Sequence, residues 1–302
     1  MSQSTDKVQY FDRYQGRVVE EAVYGEAWLR FVYGNPLGRM TRFAAVKRAW
    51  FSLLFGLWMD SKWSAGWIGS FVRKYDIDLT QFEPPQSGEW KNFNEFFARR
   101  ITPGARPVDA DPRAVVFPAD GRHTVYPDGA DLSGLVVKGR AFSLSELLGG
   151  AETAQRFEGG ALVVSRLCPT DYHRFHFPVA GTPSASIRLP GPLDSVSPVA
   201  IAAGARSLVA NKRELTLLDT EKAGKVALVE VGAACVGKIV QNYAPNRPVA
   251  KGAEKGRFLF GGSTVISVFE PGRIVFAEDL LANSAKGIET YARMGDRLGT
   301  LR

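Results

Sequence analysis

From about residue 105 onward, short β-prone runs alternate with glycine and proline turns, and this pattern limits the folds that the chain can adopt. The runs are rich in β-branched and aromatic residues, and turn residues bound each of them. They predict strands over 114–117, 123–126, 135–137, 161–167, 184–188, 215–218, 226–231, 238–241, 257–260, 264–269 and 273–276. One helix is predicted among them, over 143–148. Many short strands with frequent turns are typical of a compact β-rich core, either a barrel or a sandwich.

The first hundred residues have a helical pattern instead. Apolar residues recur there at spacings of three and four, as on one face of a helix. The first such face comprises Trp50, Leu53, Leu54, Leu57 and Trp58, and the second comprises Trp67, Ile68, Phe71 and Val72. A further short helix is predicted over 92–100, before the turn-rich sequence 102–107. We therefore predict an α+β protein, with a helical region over 1–104 and a β-rich barrel- or sandwich-like core over 105–302.

Positive charge and tryptophan are concentrated between residues 27 and 75. The window contains one acid, Asp60, and eight bases, so its own net charge equals the +7 of the whole chain. The bases are Arg30, Arg39, Arg42, Lys47, Arg48, Lys62, Arg73 and Lys74. The window also holds Trp28, Trp50, Trp58, Trp63 and Trp67. Such a segment favours an anionic membrane surface, and two helices packed in the core are the alternative. Nucleic acid is disfavoured because no recognisable binding module accompanies the patch.

Several features disfavour other classes of protein. Residues 1–7 contain no apolar stretch, so no secretory signal is predicted. No apolar run reaches the roughly 18 residues that a membrane-spanning helix needs. Cys168 and Cys235 lack metal-type spacing and predict free thiols in a reducing compartment. Because the chain has only two cysteines and three histidines, no metal site is predicted.

The stretch Phe258–Ile266 carries the most informative hydroxyl of the chain. An apolar run leads into Gly261-Gly262, then Ser263, then a second β-branched run. By propensity this is a strand, a glycine break and a second strand. Taken alone, the pattern predicts a tight turn or a bulge. The missing Cβ atoms would also let another group approach the backbone closely beside the hydroxyl.

Two further stretches carry ionisable groups of chemical interest. Asp120 lies in a turn after an apolar run, where a structural role is the simpler explanation. His173 and His176 follow one another three residues apart in a Tyr-His-Arg-Phe-His string, for which a functional site and a structural role are equally favoured. His123 lies in a β-prone run with no acidic or nucleophilic neighbour, and we interpret it as structural.

Taken together, an ordered set of short motifs resembles the phosphatidylserine decarboxylase family, in its shorter, prokaryotic-type branch. The set extends over most of the chain from about residue 90, and its order is more specific than any single motif. Its members are Phe96-Phe97-x-Arg99 with Arg106-Pro107, Pro118-Ala119-Asp120-Gly121, Asp171-Tyr172-His173-Arg174-x-His176-x-Pro178, Val231-Gly232-Ala233 with Val236-Gly237, Lys251-Gly252-x-Glu254-x-Gly256-x-Phe258, and Gly262-Ser263-Thr264.

The resemblance implies an enzyme that makes its own cofactor by self-cleavage. His176, oriented by Asp120, would take the proton of Ser263, whose oxygen attacks the carbonyl of Gly262. The resulting ester would break by β-elimination, and hydrolysis would leave a pyruvoyl group where Ser263 had been. The products would be a β chain, 1–262, and an α chain, 263–302, which remain associated.

The resemblance also implies the substrate and its setting. The pyruvoyl group would form a Schiff base with the amine of phosphatidylserine and accept electrons as carbon dioxide leaves, giving phosphatidylethanolamine. His173 is assigned to the substrate carboxylate or to proton delivery. The enzyme is expected to lie peripherally on the cytoplasmic face of the cell membrane, docked on anionic lipid by the helical region. Whether it forms a homodimer is left open.

Two positions depart from the family pattern. Gly261 stands where the family more often has a bulky apolar residue, so the cleavage geometry gains backbone freedom. Ala234-Cys235 stands where polar residues are common, so a contact from that loop is expected to differ. Neither position carries a group that the proposed chemistry uses.

Three alternatives stay open from the sequence. One is a pyruvoyl decarboxylase of another serine lipid or of an amino acid. A second is a serine hydrolase in which Ser263 attacks an external ester and the chain stays intact. A third is a non-catalytic membrane-binding β-domain.

Overall fold

A computed structural model describes residues 8–23, 25–35, 37–38, 49–128, 143–202, 205–233, 238–260 and 263–302. Several predictions fall outside these ranges: the strand over 135–137, the thiol of Cys235, and the glycines Gly261 and Gly262. Four of the predicted membrane-facing bases also lie outside them, namely Arg39, Arg42, Lys47 and Arg48.

The described chain is mixed, with more strand than helix. Its strands are β1 (Gln9–Asp12), β2 (Arg17–Glu20), β3 (Ala114–Val116), β4 (Gly121–Tyr126), β5 (Ala161–Leu167), β6 (Arg174–His176), β7 (Thr182–Pro183), β8 (Ile187–Leu189), β9 (Arg213–Asp219), β10 (Lys225–Val231), β11 (Ile239–Gln241), β12 (Glu254–Phe258), β13 (Ser263–Phe269), β14 (Ile274–Phe276), β15 (Glu289–Ala292) and β16 (Arg297–Leu301). Its helices are α1 (Glu26–Gly34), α2 (Ala49–Asp60), α3 (Ile68–Tyr75), α4 (Phe93–Phe97), α5 (Leu144–Leu148), α6 (Ala151–Gln155), α7 (Pro198–Ala202), α8 (Ser207–Ala210) and α9 (Glu278–Ser284), with 3₁₀ turns at Lys62–Trp67 and Leu79–Gln81.

The strands form one large sheet and two small ones. The large sheet has the order β2-β1-β15-β4-β5-β13-β10-β9-β7, with β8 also paired to β9. The small sheets have the orders β11-β12-β6 and β14-β16-β3. The α+β class with a β-rich core is confirmed. The expected barrel is corrected: the large sheet is open, because no pairing in the described chain joins its end strands β2 and β7.

The two N-terminal strands enlarge the sheet beyond the predicted core. β1 pairs in parallel with β15 and antiparallel with β2, so residues 9–20 belong to the large sheet. Residues 1–104 are therefore not purely helical. The division at residue 104 itself stays a prediction.

The helical region packs through aromatic side chains. Ile68 and Phe71 of the second predicted face are buried, whereas Leu54, Leu57 and Trp58 of the first face are exposed. The C-terminal end of α2 shares one apolar cluster with α3 and α4. The buried members of this cluster are Met59, Ile68, Phe71, Phe93, Phe96, Phe97 and Phe260. The side chain of Asn92 accepts a hydrogen bond from the backbone N–H of Glu95 and so starts α4. None of the helices in the described ranges combines the length and apolar content that crossing a membrane requires.

β13 is the most deeply placed strand of the large sheet. It runs between β5 and β10 over its whole length, and all seven of its residues are buried. Apolar clusters cover both faces of the sheet here: Ile266 and Val268 belong to one, and Phe269 to the other. A strand buried on both faces and paired on both edges is fixed in position, so its first residue is fixed too.

Candidate active site

Ser263 is the first residue of β13, and its side chain is fully buried. Its Cα pairs with that of Leu167 at the end of β5. Its Oγ has no hydrogen-bond partner among the residues that the structure describes. A buried hydroxyl left unpaired costs about 1–3 kcal/mol. The fold thus holds at this point a polar atom whose hydrogen-bonding capacity is unused within the described residues.

The segment before the predicted cleavage site is attached to the helical region rather than to the large sheet. The backbone N–H of Phe260 donates to Oδ1 of Asn94 at 2.8 Å. The ring of Phe260 packs edge-on against Phe97 and Phe93, with centroid distances of 5.0 and 4.9 Å. The two sides of the predicted cleavage site are therefore held by different parts of the molecule.

His176 ends β6 and is held by two hydrogen bonds. Its Nδ1 lies 2.9 Å from the carbonyl oxygen of Gly252, and its Nε2 lies 3.1 Å from the hydroxyl of Tyr172. Because a carbonyl can only accept, Nδ1 carries the proton and Nε2 is the basic nitrogen. Burial lowers the pKa of His176, against the opposing effects of the Gly252 hydrogen bond and of nearby acids. The imidazole is neutral at pH 7, and its lone pair is at Nε2, where it accepts the hydrogen bond of Tyr172.

Asp120 lies in the turn between β3 and β4, and both of its oxygens have partners. Arg106 donates to Oδ2 from Nε at 3.0 Å and from Nη2 at 2.7 Å, and the backbone N–H of Met294 donates to Oδ1 at 2.8 Å. Burial alone would lower the pKa of Arg106, but the hydrogen bonds and charge of Asp120 outweigh it and raise the pKa. Asp120 thus forms a buried ion pair with Arg106.

The structure brings the three predicted residues to one apolar cluster without linking their side chains. The backbone N–H of His176 donates to the carbonyl of Pro118 at 2.7 Å, two residues before Asp120. The cluster contains Ala119, which precedes Asp120, and Phe175, which precedes His176. It also contains Leu167, the strand partner of Ser263, and Val265, two residues after Ser263. Its other members are Ile239 and Phe258. In the described chain, no side-chain hydrogen bond joins Asp120 to His176, which Gly252 orients instead.

His173 lies beside the chain that leads to Ser263. Its ring stacks on Phe97 at a centroid distance of 3.8 Å and an angle of 34°, and Phe97 also contacts Phe260. Its Nδ1 lies 3.0 Å from the carbonyl oxygen of Asp171 and therefore donates to it. The backbone N–H of Phe258 donates to the carbonyl of His173 at 2.9 Å. His173 is fully buried in this position.

A buried ionic network supports the loop that precedes His173. Arg122 and Arg166 are paired across β4 and β5, and both interact with Glu21. Arg122 also binds Asp171 at 2.5 Å, and Arg166 also binds Glu289. The network thus anchors the residue two positions before His173 to the large sheet. Removing one partner from such a buried set costs about 3–5 kcal/mol.

The thiol of Cys168 belongs to the same network. It is a free cysteine, and its Sγ donates to Oε1 of Glu21 at 3.0 Å. Burial raises the pKa of this thiol, which opposing charges from the two arginines do not offset. Cys168 is therefore a protonated structural thiol, as its sequence context predicted.

His123 lies apart from these residues. Its Nδ1 is 2.9 Å from Oγ of Ser165, and its Nε2 is 3.3 Å from the carbonyl of Ala292. Burial lowers the pKa of His123 to about 3, so the ring stays neutral. These contacts fit the structural role predicted for it. The described residues contain no group of three or more histidine, cysteine or acidic side chains arranged to hold a metal ion.

Sequence reasoning missed the direct partners of the predicted residues. Tyr172 and the carbonyl of Gly252 were inside the motifs but had been given no role, and so had Arg106. The backbone of Met294 carried no sequence signal at all, because a backbone N–H is common to nearly every residue. The sequence signal for Tyr172 is its position next to His173. In the structure, burial raises the pKa of its hydroxyl, so the hydroxyl stays a hydrogen-bond donor.

Comparison of the sequence with known proteins identifies the family of this chain. The sequence model of the family described as phosphatidylserine decarboxylase matches residues 93–300. A protein of Fusobacterium nucleatum subsp. nucleatum named phosphatidylserine decarboxylase proenzyme is 42% identical over 294 residues, covering 97% of this chain and 98% of its own. Proteins of the same name from Chlamydia trachomatis serovar D and Clostridium botulinum are 40% and 38% identical, and cover 96% and 97% of this chain and 96% and 99% of their own.

The family match includes every residue that the sequence assigned to the site, from Asp120 to Ser263. The relatives align over nearly their full length, so the likeness extends to the N-terminal helical region as well. This chain therefore belongs to the phosphatidylserine decarboxylase family of carboxy-lyases.

Proposed function

We propose that this protein is a self-processing, pyruvoyl-dependent enzyme that converts phosphatidylserine into phosphatidylethanolamine and carbon dioxide. The observation that carries the proposal is Ser263, the first residue of β13, whose buried hydroxyl has no hydrogen-bond partner in the described part of the chain. The name proenzyme given to the relatives supports a chain that is synthesised in an inactive form.

The processing step uses only groups of this chain. Oγ of Ser263 loses its proton to a base and attacks the carbonyl carbon of Gly262, and the peptide bond is exchanged for an ester. Loss of the α-proton of Ser263 then breaks the bond between its Cβ and Oγ by β-elimination, and Gly262 leaves as a carboxylate. Water hydrolyses the resulting enamine through its imine tautomer, releasing ammonia. A pyruvoyl group remains at the new N-terminus of residues 263–302.

His176 is proposed as the base of this step. Its Nε2 is unprotonated and its Nδ1–H is fixed by Gly252, so the ring offers its lone pair on one side only. The negative charge of Asp120 raises the pKa of His176, although the larger effect of burial keeps the net shift downward. Asp120 would therefore stabilise the protonated ring through its charge, while Gly252 sets the orientation of that ring.

The second step depends on the group derived from Ser263. When present, the pyruvoyl group supplies an electron sink for the electrons left by departing carbon dioxide. His173 is proposed to hold the substrate carboxylate or to deliver the proton that replaces it. Its ring is fixed between Phe97 and the backbone of Asp171, which supports a constant position relative to Phe260 and the following site.

The helical region is proposed to dock on the cytoplasmic face of an anionic membrane, because a diacyl substrate stays in the bilayer. In the described chain, eight of the fourteen exposed large apolar side chains fall between residues 27 and 75, which concentrates apolar surface there. They are Trp28, Phe31, Leu37, Leu54, Leu57, Trp58, Trp63 and Trp67. A surface of this kind with interspersed bases is typical of peripheral membrane binding.

Intact mass of the purified protein tests the processing proposal. We expect two chains that separate between Gly262 and Ser263, the smaller one blocked at its N-terminus. Ser263→Ala should abolish both cleavage and decarboxylation, whereas Ser267→Ala, which changes another buried serine of the same strand, should leave an intact N-terminal pyruvoyl group. An unbroken wild-type chain with esterase activity would instead identify a serine hydrolase.

Reductive trapping identifies the substrate. Phosphatidylserine with a mild hydride donor should add its mass to the smaller chain. If a free amino acid is trapped and the lipid is not, the enzyme is a pyruvoyl decarboxylase with a different substrate.

A further inference from the structure

A cavity of about 480 Å³ opens beside the chain that leads to Ser263, and four arginines line it. They are Arg99, Arg100, Arg174 and Arg257. Arg99 and Arg100 follow α4, Arg174 begins β6, and Arg257 lies in β12. The cavity therefore lies between the helical region and the small sheet that carries His176.

These guanidinium groups are only partly neutralised. Arg174 pairs with Glu254 at 2.8 Å, but no carboxylate within the described ranges lies at ion-pair distance from Arg99, Arg100 or Arg257. The pKa of Arg257 is lowered, mainly by burial and then by the positive charges of Arg174 and Arg100. The negative charge of Glu254 opposes this shift only in part. The arginines therefore repel one another, and an anion between them would relieve that repulsion.

Arg99 is the most unusual member of the group. It is only 2% exposed, and its Nε has no hydrogen-bond partner in the chain as described. Its terminal nitrogens donate to backbone carbonyls, and its guanidinium lies over the ring of Phe82 at 4.2 Å. Burial lowers the pKa of Arg99 to about 10, so it still carries its charge at neutral pH. A buried cation with an unused N–H is a group prepared to bind an anion.

Three acids also line the cavity, and two of them accept hydrogen bonds from the helical region. Asp60 accepts a hydrogen bond from Nδ2 of Asn94 at 2.8 Å, and Glu95 accepts one from the backbone N–H of Lys91 at 2.6 Å. Glu83 is the third acid of the lining. Asp60 ends α2, and Asn94 and Glu95 lie in α4. Asp60 and Glu95 are therefore on the helical side of the cavity, across from Arg174 and Arg257 of the small sheet.

The cavity adjoins both the exposed apolar surface and the reacting segment. Asp60 in its lining ends α2, the helix that exposes Leu57 and Trp58. Leu259 in its lining is four residues before Ser263, a chain length of at most about 14 Å. Arg174 directly follows His173 in sequence. A ligand in the cavity would therefore lie between the apolar surface and the site of decarboxylation.

We infer that this cavity binds the phosphodiester of the lipid headgroup through Arg99, Arg100, Arg174 and Arg257, an inference that rests on the proposed function. Planar guanidinium groups match phosphate oxygens in pairs, and Arg99, Arg100 and Arg257, which form no ion pair within the described residues, suit a phosphate monoanion. The acyl chains would then extend toward the exposed apolar side chains of α2. The serine part of the headgroup would extend toward His173 and Ser263.

Direct binding and kinetics together test this inference. The binding probe is glycerophosphoglycerol, a phosphodiester without an amine, observed by ³¹P NMR with the processed enzyme, and inorganic phosphate is the second probe. We expect Arg257→Ala and Arg100→Ala each to weaken binding of the diester at least tenfold. The KM for phosphatidylserine in mixed micelles should rise by a similar factor while kcat, normalised to pyruvoyl content, changes less than threefold.

Matched variants control for charge and folding. Arg156→Ala removes a surface arginine that pairs with Glu270 away from the cavity, and should change neither diester binding nor KM. Arg257→Lys keeps the positive charge but not the paired donors, and should lie between wild type and Arg257→Ala. Circular dichroism of each variant reports whether it is folded.

The outcomes separate this inference from the proposed function. If Arg257→Ala and Arg100→Ala behave like Arg156→Ala, the cavity does not bind the headgroup. If both variants lose binding of inorganic phosphate but keep the KM for the lipid, the site takes free phosphate and the headgroup assignment is wrong. If wild-type enzyme carrying a pyruvoyl group does not decarboxylate phosphatidylserine, the proposed function fails, whatever the arginine variants do.

Discussion

His176 has a defined tautomer because each of its ring nitrogens has a different kind of partner. The carbonyl of Gly252 requires a proton on Nδ1, and the hydroxyl of Tyr172 can then donate to Nε2. An O–H donor at Nε2 stabilises the neutral ring. In the precursor, Tyr172 thus occupies the lone pair that would receive the proton of Ser263, so the two hydroxyls compete for one atom.

The pH dependence of self-cleavage should reflect this arrangement. Burial lowers the pKa of His176 below its ordinary value of 6.5, so the neutral base is fully present at pH 7 and above. We expect the cleavage rate to be constant there and to fall about tenfold per pH unit once the pH drops below that lowered pKa. Intact mass of precursor samples over time measures the rate.

Tyr172→Phe removes the donor to Nε2 and should raise the pKa of His176, moving the acid limb of the cleavage profile to higher pH. Tyr126→Phe, a change in a half-buried tyrosine of β4, serves as the control and should leave the profile in place. An acid limb that stays fixed or moves to lower pH in Tyr172→Phe would contradict the proposed contact.

Among the elements, β12 owes its position next to His176 to a bulge. The pairing of β12 with β6 shifts between Glu254 and Gly256, so Lys255 is the extra residue. Its Nζ donates to Oε2 of Glu230 in β10 at 2.8 Å, and both side chains are almost fully buried. The bulge turns Lys255 toward the large sheet and leaves Glu254 paired with Arg174. It therefore joins the small sheet of His176 to the large sheet of Ser263.

Lys255→Met should destabilise the protein by about 3–5 kcal/mol at pH 7, because it leaves the carboxylate of Glu230 buried without its cation. Burial already raises the pKa of Glu230 and lowers that of Lys255, so each partner depends on the other to stay charged. Urea unfolding in a Ser263→Ala background, where the chain stays intact, measures the change.

Two further variants complete that experiment. Adding Glu230→Gln to Lys255→Met should recover more than half of the lost stability, since no charge is then buried. Lys225→Met breaks the exposed pair with Asp219 and should cost no more than about 1 kcal/mol. An equal loss in Lys255→Met and Lys225→Met would show that the buried pair contributes nothing special.

In the whole molecule, the products of cleavage would share one fold. Within residues 263–302, β13 is paired on both edges with strands of the longer chain, β15 pairs with β1 and β4, and β16 pairs with β3. Separating the chains would break the centre of the large sheet. This interleaving supports the proposal that the two chains stay associated after cleavage.

Membrane docking is the other proposal that concerns the whole molecule. Trp63 is 79% exposed, the highest value among the large apolar side chains of the described residues. Trp63→Ser should weaken binding to anionic vesicles about five- to tenfold. Full burial of a large apolar side chain contributes roughly 1.5–3 kcal/mol, and insertion into the membrane interface buries the Trp63 side chain only in part. Vesicle flotation measures the binding.

The control is Ile187→Ser, which removes an exposed apolar side chain of β8 outside the helical region. It should bind vesicles like wild type, and neither variant should unfold. Raising the salt concentration should weaken binding of all three proteins, since screening reduces the contribution of the bases. Equal flotation of Trp63→Ser and wild type would exclude docking through this surface.

Much of the architecture followed from local sequence patterns. The helices α2, α3 and α4 come from apolar spacing, and the helix over 143–148 is confirmed with Ser143 as its cap. The strands β5 and β10 match their β-prone runs closely. The missed strands β1 and β2 are four residues each, and they are strands because β1 pairs with β15 and β2 pairs with β1.

The sequence by itself determined the α+β class with its β-rich core, and an ordered set of motifs predicted Asp120, His173, His176 and Ser263 as site residues. Tertiary structure alone decided their partners. Asp120 binds the backbone of Met294, 174 residues away, and His176 binds that of Gly252, 76 residues away. Such contacts leave no local periodicity, because they depend on which strands lie side by side. Tertiary packing also decided that the hydroxyl of Ser263, at the start of β13, has no hydrogen-bond partner among the described residues.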